Sequence, residues 1–232
     1  YDEAVIIHHD DADGLCSAAL TKIALEKLEY NVRLVCLEKL FPQAIDLVHE
    51  KFPEKLIIYV DLGSPHAITI ASKISNQEVI IIDHHDPESV DHEHLIHINP
   101  ELYGYSGESD ASAATMAYIL FRKICSDLKE YIQLAIIGAS EIPGPPRGLN
   151  EMVLDEAISM GKAHIKGNRI YVNFHGLEKT TIELSSKLTT LGSIGYYMSG
   201  PKRAIEICIR GFRYDDDKFI RELEYLKSSV FR

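Results

Sequence analysis

Short apolar runs alternate with helical patterns over the first 140 residues of this 232-residue chain. Four of the runs are four to six residues long and rich in Val and Ile. Runs of this length and composition are typical of strands buried on both faces of a sheet. The predicted strands are Ala4–His8, Val32–Leu37, Leu56–Val60 and Val79–Ile82.

The segments between these runs carry apolar residues at three-to-four spacing, which predicts amphipathic helices. Pro42 and Pro65 stand where two of the helices would begin, a position that proline favours. The predicted helices are Leu15–Leu28, Pro42–Lys51 and His66–Ile74. This alternation predicts an α/β fold, a mostly parallel sheet with helices on both faces.

Two further helices are predicted before the pattern breaks. The first is Asp110–Cys125, with Ser109 or Asp110 as its N-cap, and the second is Leu128–Ala139. The next segment, Glu141–Asn150, contains three prolines and two glycines, and we interpret it as a domain boundary.

The boundary divides the chain into a domain at residues 1–142 and a C-terminal appendage at residues 151–232. The appendage is smaller and less regular. Its pattern predicts a helix at Glu151–His164, a strand at Arg169–Phe174 and helical segments toward Arg232. The second part is therefore a mixed helical and strand segment.

Composition is that of an ordinary soluble protein, with 46% hydrophobic and 25% charged residues. No stretch approaches the roughly 20 apolar residues that span a membrane, and the N-terminus lacks the pattern of a secretory signal. The four cysteines are widely spaced and form no Cys-x-x-Cys pair. We expect them to be small buried residues of a cytoplasmic protein without a membrane partner.

The net charge of −11 bears on possible substrates. An acidic protein repels nucleic-acid phosphates at long range, which argues against tight duplex binding. A site that collects several carboxylates around metal ions is acidic only until the metals bind. The charge therefore weakens a nucleic-acid hypothesis without removing it.

Acidic residues and histidines follow three of the predicted strands. The first strand runs into residues 8–14 (HHDDADG), the third into Asp61, and the fourth into Asp83, His84 and His85. Because ligands of an open parallel sheet bind outside the C-terminal ends of its strands, these three clusters are expected to converge in one crevice.

Each cluster taken alone has a structural explanation. A single Asp after a strand, such as Asp61, is usually a cap or turn residue, and a run such as Asp10–Asp13 suits the N-terminus of the next helix. Their coincidence at three strand ends favours a functional site. We expect His92, His94 and His97 to be loop and strand surface residues rather than ligands.

Carboxylates together with imidazoles suit Mn²⁺, Zn²⁺ or Fe²⁺ better than Ca²⁺ or Mg²⁺. The number of side chains exceeds what one ion needs. Two ions about 3.5–4 Å apart, sharing a bridging carboxylate, would use the whole set. The sequence therefore predicts two-metal hydrolysis of a phosphoester.

The run H-x-D-x-D-G, the strand-end Asp61 and the triplet Asp83-His84-His85 resemble the first three signature motifs of the DHH phosphoesterase superfamily. The match covers roughly residues 4–140. Only one residue separates His9 from Asp11, and this short spacing is most similar to that of archaeal RecJ-like proteins. The resemblance implies two Mn²⁺ ions, with Mg²⁺ or Co²⁺ as alternatives.

The resemblance also implies roles for individual residues. Asp61 would bridge the two ions, Asp83 would orient the adjacent histidine, and His85 would face the substrate phosphate as a catalytic residue. The implied metal ligands are His9, Asp11, Asp13, Asp61 and His84.

Two features depart from the family pattern. The fourth motif ends a helix with an Asp, whereas the matching stretch here is Gly138–Glu141, so that Glu141 becomes the candidate sixth ligand. The chain also contains no Gly-Gly pair, so the GGxH-like substrate loop of many members is either absent or lost by truncation.

Few cations are available to bind substrate. Arg147, Lys202 and Arg203 are the candidate phosphate contacts. The glycine-rich stretch Leu191–Pro201 either approaches a phosphate backbone, with Tyr196 or Tyr197 stacking on a base, or is a plain turn between helices.

Three functions compete on this basis. The leading hypothesis is a RecJ-like exonuclease, a metal-dependent phosphodiesterase acting on single-stranded DNA or RNA or on short oligonucleotides. The second is hydrolysis of a small phosphoanhydride or cyclic dinucleotide, which the acidic surface tolerates more readily. The third is a non-catalytic replisome scaffold that binds the GINS complex. Retention of the implied ligands argues against the scaffold.

Overall fold

A five-stranded parallel sheet forms the first half of the protein, whose computed structural model describes the backbone of residues 2–230 and the side chains of residues 2–228. The strand order is β2-β1-β3-β4-β5, so the chain reverses direction across the sheet after β2. The strands are β1 Glu3–His8, β2 Asn31–Cys36, β3 Leu56–Val60, β4 Glu78–Ile82 and β5 Leu95–Ile98.

The register aligns the ends of the three central strands. His8 of β1 pairs with Val60 of β3, and Val60 pairs with Ile82 of β4. Each of these is the last residue of its strand. The first residues beyond the strands, His9, Asp61 and Asp83, therefore leave the sheet side by side at one edge.

Helices cover both faces of the sheet, as the apolar pattern predicts. Alternate side chains of one strand enter different cores: Ile58 packs with the core under the first helix, whereas Ile57 and Tyr59 pack with the core under the second and third. The helices are α1 Ala12–Lys27, α2 Pro42–Lys51, α3 Ala67–Lys73, α4 Ala113–Phe121, α5 Ile132–Ala139, α6 Gly148–Ser159, α7 Thr181–Thr189, α8 Gly200–Arg210 and α9 Tyr214–Val230.

A small antiparallel sheet follows in the second half of the chain. The predicted strand Arg169–Phe174 is confirmed as its central strand, β7, between β6 Ala163–Lys166 and β8 Leu177–Thr180. Both hairpin turns contain residues with positive φ, Gly167 in the first and His175 and Gly176 in the second. The mixed helical and strand segment predicted after the main sheet is confirmed.

Both halves of the chain share one hydrophobic core. Helix α1 is buried on nearly all sides because it lies between the parallel sheet and the helices α4, α5 and α8. Leu188 of α7 and Cys208 of α8 therefore belong to the same cluster of buried residues as Leu15 and Cys16 of α1.

Several predicted boundaries are wrong. The helix predicted at Asp110–Cys125 spans only Ala113–Phe121, because Ser112 is the N-cap and Asp110 instead accepts a hydrogen bond from the Ser106 amide. The first part of the helix predicted at Leu128–Ala139 is a 3₁₀ segment, Ser126–Tyr131.

Two further elements differ from the sequence expectation. Helix α6 begins at Gly148, inside the predicted break, and ends at Ser159, so that the end of the predicted helix forms β6 instead. The four-residue strand β5 was not predicted because a polar residue, His97, interrupts its short apolar run. Within residues 2–230, no helix is long and apolar enough to cross a membrane.

Candidate metal centre

The three strand-end clusters converge, as the sequence predicts. Side chains that follow β1, β3 and β4 line one open cavity of about 520 Å³. The cavity lies beyond the aligned strand ends, at the edge where a parallel sheet binds its ligands. Its lining includes Asp11, Asp13, Asp61, His84, His85, Glu108, Glu141, Ile142 and Pro143.

The first group of potential ligands is His9, Asp11 and Asp61, whose nearest ligand atoms lie within 4.8 Å of one another. His9 Nδ1 lies 2.8 Å from Asp11 Oδ2 and 3.5 Å from Asp61 Oδ2. The other ring nitrogen, Nε2, lies 3.1 Å from the carbonyl oxygen of Glu38. Because a carbonyl only accepts, Nε2 is the donor, and Nδ1 is the nitrogen directed at the two carboxylates.

The second group is Asp61, His84 and His85, also within 4.8 Å. His84 Nε2 lies 3.3 Å from Asp61 Oδ1 and 3.6 Å from Asp13 Oδ2. His84 Nδ1 donates to the carbonyl oxygen of Gly107 at 2.7 Å. A ring nitrogen held by a carbonyl, with the opposite nitrogen facing carboxylates, is the arrangement of metal-ligating histidines.

Asp61 belongs to both groups and presents a different oxygen to each histidine. Its side chain is 1% exposed, and neither of its oxygens has a hydrogen bond of acceptable geometry among the described residues. His9 Nδ1 is likewise buried without such a bond. Buried polar atoms left this way are costly unless a cation binds them, so the side chains fit a pair of metal ions that share Asp61.

The backbone of Asp61 supports a functional role. Its φ is 58°, in the left-handed region that non-glycine residues rarely adopt. The next residues turn sharply, since Gly63 has a φ of 114°. Strain of this kind concentrates at functional sites, where the surrounding structure holds a side chain in place.

The electrostatics show a site that attracts positive charge. Burial lowers the pKa of His9, but the carboxylates of Asp11 and Asp61 outweigh it and raise this pKa to about 11. Burial also lowers the pKa of His84, but the carboxylates of Asp61 and Asp13 have the larger effect and raise this pKa to about 10. Burial and the negative charge of Asp61 raise the pKa of Asp13 to about 7.

Asp13 has a second role besides facing His84. Its Oδ2 accepts from the Ala113 amide at 2.8 Å and its Oδ1 from the Ala114 amide at 2.9 Å, at the N-terminus of α4. Gly138 makes room for this carboxylate, because a Cβ there would lie 2.5 Å from Asp13 Oδ1. Among the described residues Asp13 lies beside the two ligand groups rather than within them, and its role as a ligand stays a prediction.

Glu141 lines the same cavity, and its carboxylate is held by side chains of α7. Its Oε1 accepts from Ser185 Oγ at 2.7 Å and from Thr189 Oγ1 at 2.9 Å, both on α7. Thr189 Oγ1 also accepts from the Ala12 amide at 3.0 Å. Within the described residues Glu141 is outside both ligand groups, so its assignment as the sixth ligand stays a prediction.

Asp83 and His85 form the pair that the sequence suggests. Asp83 is fully buried, and its Oδ1 accepts from His85 Nδ1 at 2.7 Å. This hydrogen bond raises the pKa of His85. Burial would raise the pKa of Asp83, but the bond to His85 outweighs burial and lowers it. The side chain of His85 is 50% exposed, and the ring lines the cavity.

Sequence reasoning missed the residues that hold this pair. The Ser64 amide donates to Asp83 Oδ2 at 2.8 Å. Asn99 Nδ2 donates to both Ser64 Oγ and the His85 carbonyl oxygen, each at 2.8 Å, and His97 Nε2 contacts Ser64 Oγ at 2.7 Å. The one available signal was the position of Asn99 directly after β5, the neighbour of β4.

The three predicted phosphate contacts lie elsewhere. Arg147 is exposed at the N-terminus of α6. Lys202 and Arg203 line a separate cavity of about 380 Å³ at α8, where Arg203 is paired with Asp216. The described lining of the metal cavity includes none of the three, and their role in binding substrate stays a prediction.

The glycine-rich stretch Leu191–Pro201 packs against the first motif. A Cβ on Gly192 would lie 1.7 Å from the carbonyl oxygen of Asp10, and Tyr196 OH donates to the Cys36 carbonyl oxygen at 2.6 Å. Tyr197 is 97% exposed. Close backbone contact within the protein explains Gly192, and it leaves Tyr197 as the exposed aromatic ring of the stretch.

Comparisons with known proteins show the family. A model of the DHH family, N-terminal domain, matches residues 3–139. An uncharacterized protein of Methanocaldococcus jannaschii is 30% identical over 179 residues, which are 75% of this chain and 40% of that protein.

Solved structures share the fold. Exonuclease RecJ bound to manganese superposes with a TM-score of 0.68 at 18% identity, over 98% of this chain and 61% of that one. RecJ in complex with Mn²⁺ from Thermus thermophilus gives 0.67 at 17% identity, over 98% and 35%. CDC45 from Entamoeba histolytica gives 0.54 at 14% identity, over 99% and 53%. The chain thus spans less than two thirds of the length of each relative.

Proposed function

The chain belongs to the DHH family, and from this we propose that it is a divalent-metal-dependent phosphodiesterase that hydrolyses single-stranded nucleic acid or short oligonucleotides. The observation that carries the proposal is the position of Asp61 between two ligand groups, with both oxygens buried and without hydrogen bonds among the described residues. In a simple cap or turn residue, a buried carboxylate without hydrogen bonds would only destabilise the fold.

We assign His9, Asp11 and Asp61 to one metal ion, and Asp61 and His84 to the second. Asp13 lies next to His84 and completes the second set, while Glu141 borders the cavity. Mn²⁺ is the proposed ion, with Mg²⁺ or Co²⁺ as alternatives, because the set mixes imidazoles with carboxylates. When bound, two divalent cations supply positive charge for the phosphoryl oxygens and acidify the attacking water.

His85 is the proposed proton donor to the leaving oxygen. Asp83 holds its Nδ1, so Nε2 is the nitrogen that meets substrate. The bond to Asp83 raises the pKa of His85, which favours the protonated ring that a proton donor needs. Ser64 and Asn99 fix the pair by binding the Asp83 carboxylate and the His85 carbonyl oxygen.

The substrate class rests on the fold and on charge. The solved neighbours named as exonuclease RecJ support a nucleic acid as substrate. The net charge of −11 favours a short strand over a long one. A small phosphoanhydride or a cyclic dinucleotide, which carries fewer phosphates, is the alternative that the same charge favours.

The test is hydrolysis of a labelled pentanucleotide with Mn²⁺, for the wild type, Asp61→Asn and a matched control, Asp127→Asn. Asp127 is an exposed carboxylate paired with Lys27 on the surface. We expect Asp61→Asn to lose about three orders of magnitude in rate or more, because both ions lose a shared ligand. Asp127→Asn should retain full rate.

Two results would contradict the proposal. Wild-type hydrolysis that is equally fast in a chelator would exclude the metal mechanism. A wild-type chain that binds Mn²⁺ yet cleaves no phosphodiester or phosphoanhydride would leave the non-catalytic scaffold as the better interpretation.

A further inference from the structure

A second cavity shares His85 with the metal cavity. Its volume is about 330 Å³, and mainly apolar atoms line it. Leu40, Leu62 and Pro65 contribute apolar surface, and Phe41 stands at the start of α2. The size falls in the range of cavities that bind small organic groups.

Phe41 is the unusual member of this lining. Its side chain is 59% exposed, although it stands beside apolar residues such as Leu40, which is 5% exposed. An exposed aromatic ring that lines an apolar cavity is stabilised when a flat ligand stacks on it. Lys39 and His66 also line the cavity and contribute cationic or hydrogen-bonding groups.

The cavity adjoins the proposed metal centre. His85 lines both cavities, so the two share one side chain. The loop that carries Phe41 is also tied to the first ligand group, because the carbonyl oxygen of Glu38 accepts from His9 Nε2. A group in this cavity would therefore lie beside His85, which also lines the proposed metal centre.

We propose that this cavity, walled by Leu40, Phe41, Leu62 and Pro65, binds the nucleobase of the nucleotide whose phosphate is hydrolysed. The identity of the ligand rests on the proposed phosphodiesterase function. A base fits the chemistry because it is flat and apolar on its faces and is linked through ribose to a phosphate. Stacking on Phe41 holds any of the bases, since each has a π-face.

The experiment compares two ligands that differ only in the base. Adenosine 5′-monophosphate and ribose 5-phosphate are titrated by calorimetry, with Mn²⁺ present, into the wild type, Phe41→Ala, Phe41→Trp and Leu47→Ala. Leu47 is the matched control, an exposed apolar side chain of α2 that lies outside the described lining of the cavity.

We expect the wild type to bind the nucleotide about ten-fold or more tightly than the sugar phosphate, as stacking of one base allows. Phe41→Ala should reduce this preference to below about two-fold, whereas Phe41→Trp and Leu47→Ala should keep it. Equal affinity of the wild type for the two ligands would overturn the proposal. So would a preference unchanged in Phe41→Ala, or no measurable binding of either ligand.

The result is separable from the test of the proposed function. A base preference that depends on Phe41, in a chain without Mn²⁺-dependent hydrolysis, would support the base-binding cavity and contradict the proposed phosphodiesterase activity. Mn²⁺-dependent hydrolysis without a base preference would support the phosphodiesterase activity and contradict the base-binding cavity.

Discussion

At the scale of single residues, the protonation of His9 and His84 balances the negative charge of the site. Each ring has one nitrogen fixed by a backbone carbonyl and the other directed at buried carboxylates. Because the carboxylates raise the pKa values of the rings to about 11 and about 10, both imidazoles are protonated near neutral pH when no metal is bound. Protons thus take the place of the cations.

This state predicts proton release on metal binding. A metal ligates neutral imidazole, so Mn²⁺ must displace a proton from His9 and another from His84, about two protons at pH 7. Asp13, with a pKa raised to about 7, adds a fraction of a third proton. The apparent Mn²⁺ affinity should therefore rise with pH between about 6 and 9, since protons compete less for the rings at each step.

Calorimetry in buffers of different ionisation enthalpy measures the number of protons released. His94, which binds Glu78 away from the centre, offers a matched control as His94→Gln. Release should fall by about one proton in His84→Gln and remain unchanged in His94→Gln. Binding that releases no proton at pH 7 would contradict the assignment of both histidines as ligands.

At the scale of elements, α7 connects two motifs that are far apart in sequence. Thr189, at the end of α7, accepts from the Ala12 amide at the start of α1 and donates to Glu141 after α5. The segment that follows, Thr190–Ile194, is a π-helix. Short π-helical segments occur frequently at functional sites, and this one positions Thr189 and Gly192 against the first motif.

Thr189→Val tests this connection, because it keeps the shape of the side chain and removes the hydroxyl. The Ala12 amide loses its acceptor, which should lower the free energy of unfolding by about 1–3 kcal/mol. The Mn²⁺ affinity should also fall, since Ala12 lies between the proposed ligands Asp11 and Asp13.

Ser186→Ala, at an exposed position on the same helix, is the control and should change the free energy of unfolding by less than about 0.5 kcal/mol. Denaturant unfolding and Mn²⁺ titration measure the two effects. Equal behaviour of the two variants would show that α7 has no part in holding the metal centre.

At the scale of the whole molecule, charge limits how nucleic acid binds. The chain has a net charge of −11, and several of its cations are already paired, as Arg203 is with Asp216 and Lys187 is with Asp217. The described lining of the metal cavity contains no Lys or Arg, so we expect few phosphate contacts along an extended path.

We therefore predict a shallow salt dependence for single-strand binding. Each phosphate contact contributes about −0.7 to the slope of log affinity against log salt, so two or three contacts give a magnitude below about 2. Short oligonucleotides should be cut at least as well as long ones. Titration of salt against binding of a labelled strand measures the slope. A value of about 4 or steeper would reveal an extended basic channel and favour a processive exonuclease.

The shared core gives a second prediction at this scale. Leu184, Leu188 and Leu191 pack in the same core as Leu15 and Ala18, and burial of each leucine contributes about 1.5–3 kcal/mol. Because a domain is stable by only about 5–15 kcal/mol, a fragment of residues 1–142 should lack a cooperative unfolding transition that the full chain shows. Thermal unfolding followed by circular dichroism compares the two. A cooperative transition in the fragment would establish the boundary at Glu141–Asn150 as a true domain limit.

The sequence by itself determined the fold class and the convergence of the polar clusters at the candidate site. The runs around Ile6, Ile58 and Ile81 are apolar throughout, and only strands covered on both faces bury such runs completely. The polar residues that follow them, including Asp61 and His84, had to emerge at one edge, because parallel strands end in the same direction. Local pattern and simple geometry were sufficient for these predictions.

Tertiary structure alone decided which atoms face the centre and what supports them. The sharing of Asp61, the carbonyl of Gly107 behind His84, and the bonds from Ser64 and Asn99 to the Asp83–His85 pair each join residues distant in sequence. Such contacts depend on strand order, register and helix packing. The pattern of a short segment such as the one around Asn99 contains no information on its neighbours, because a side chain acquires its partners only when the sheet and its helices assemble.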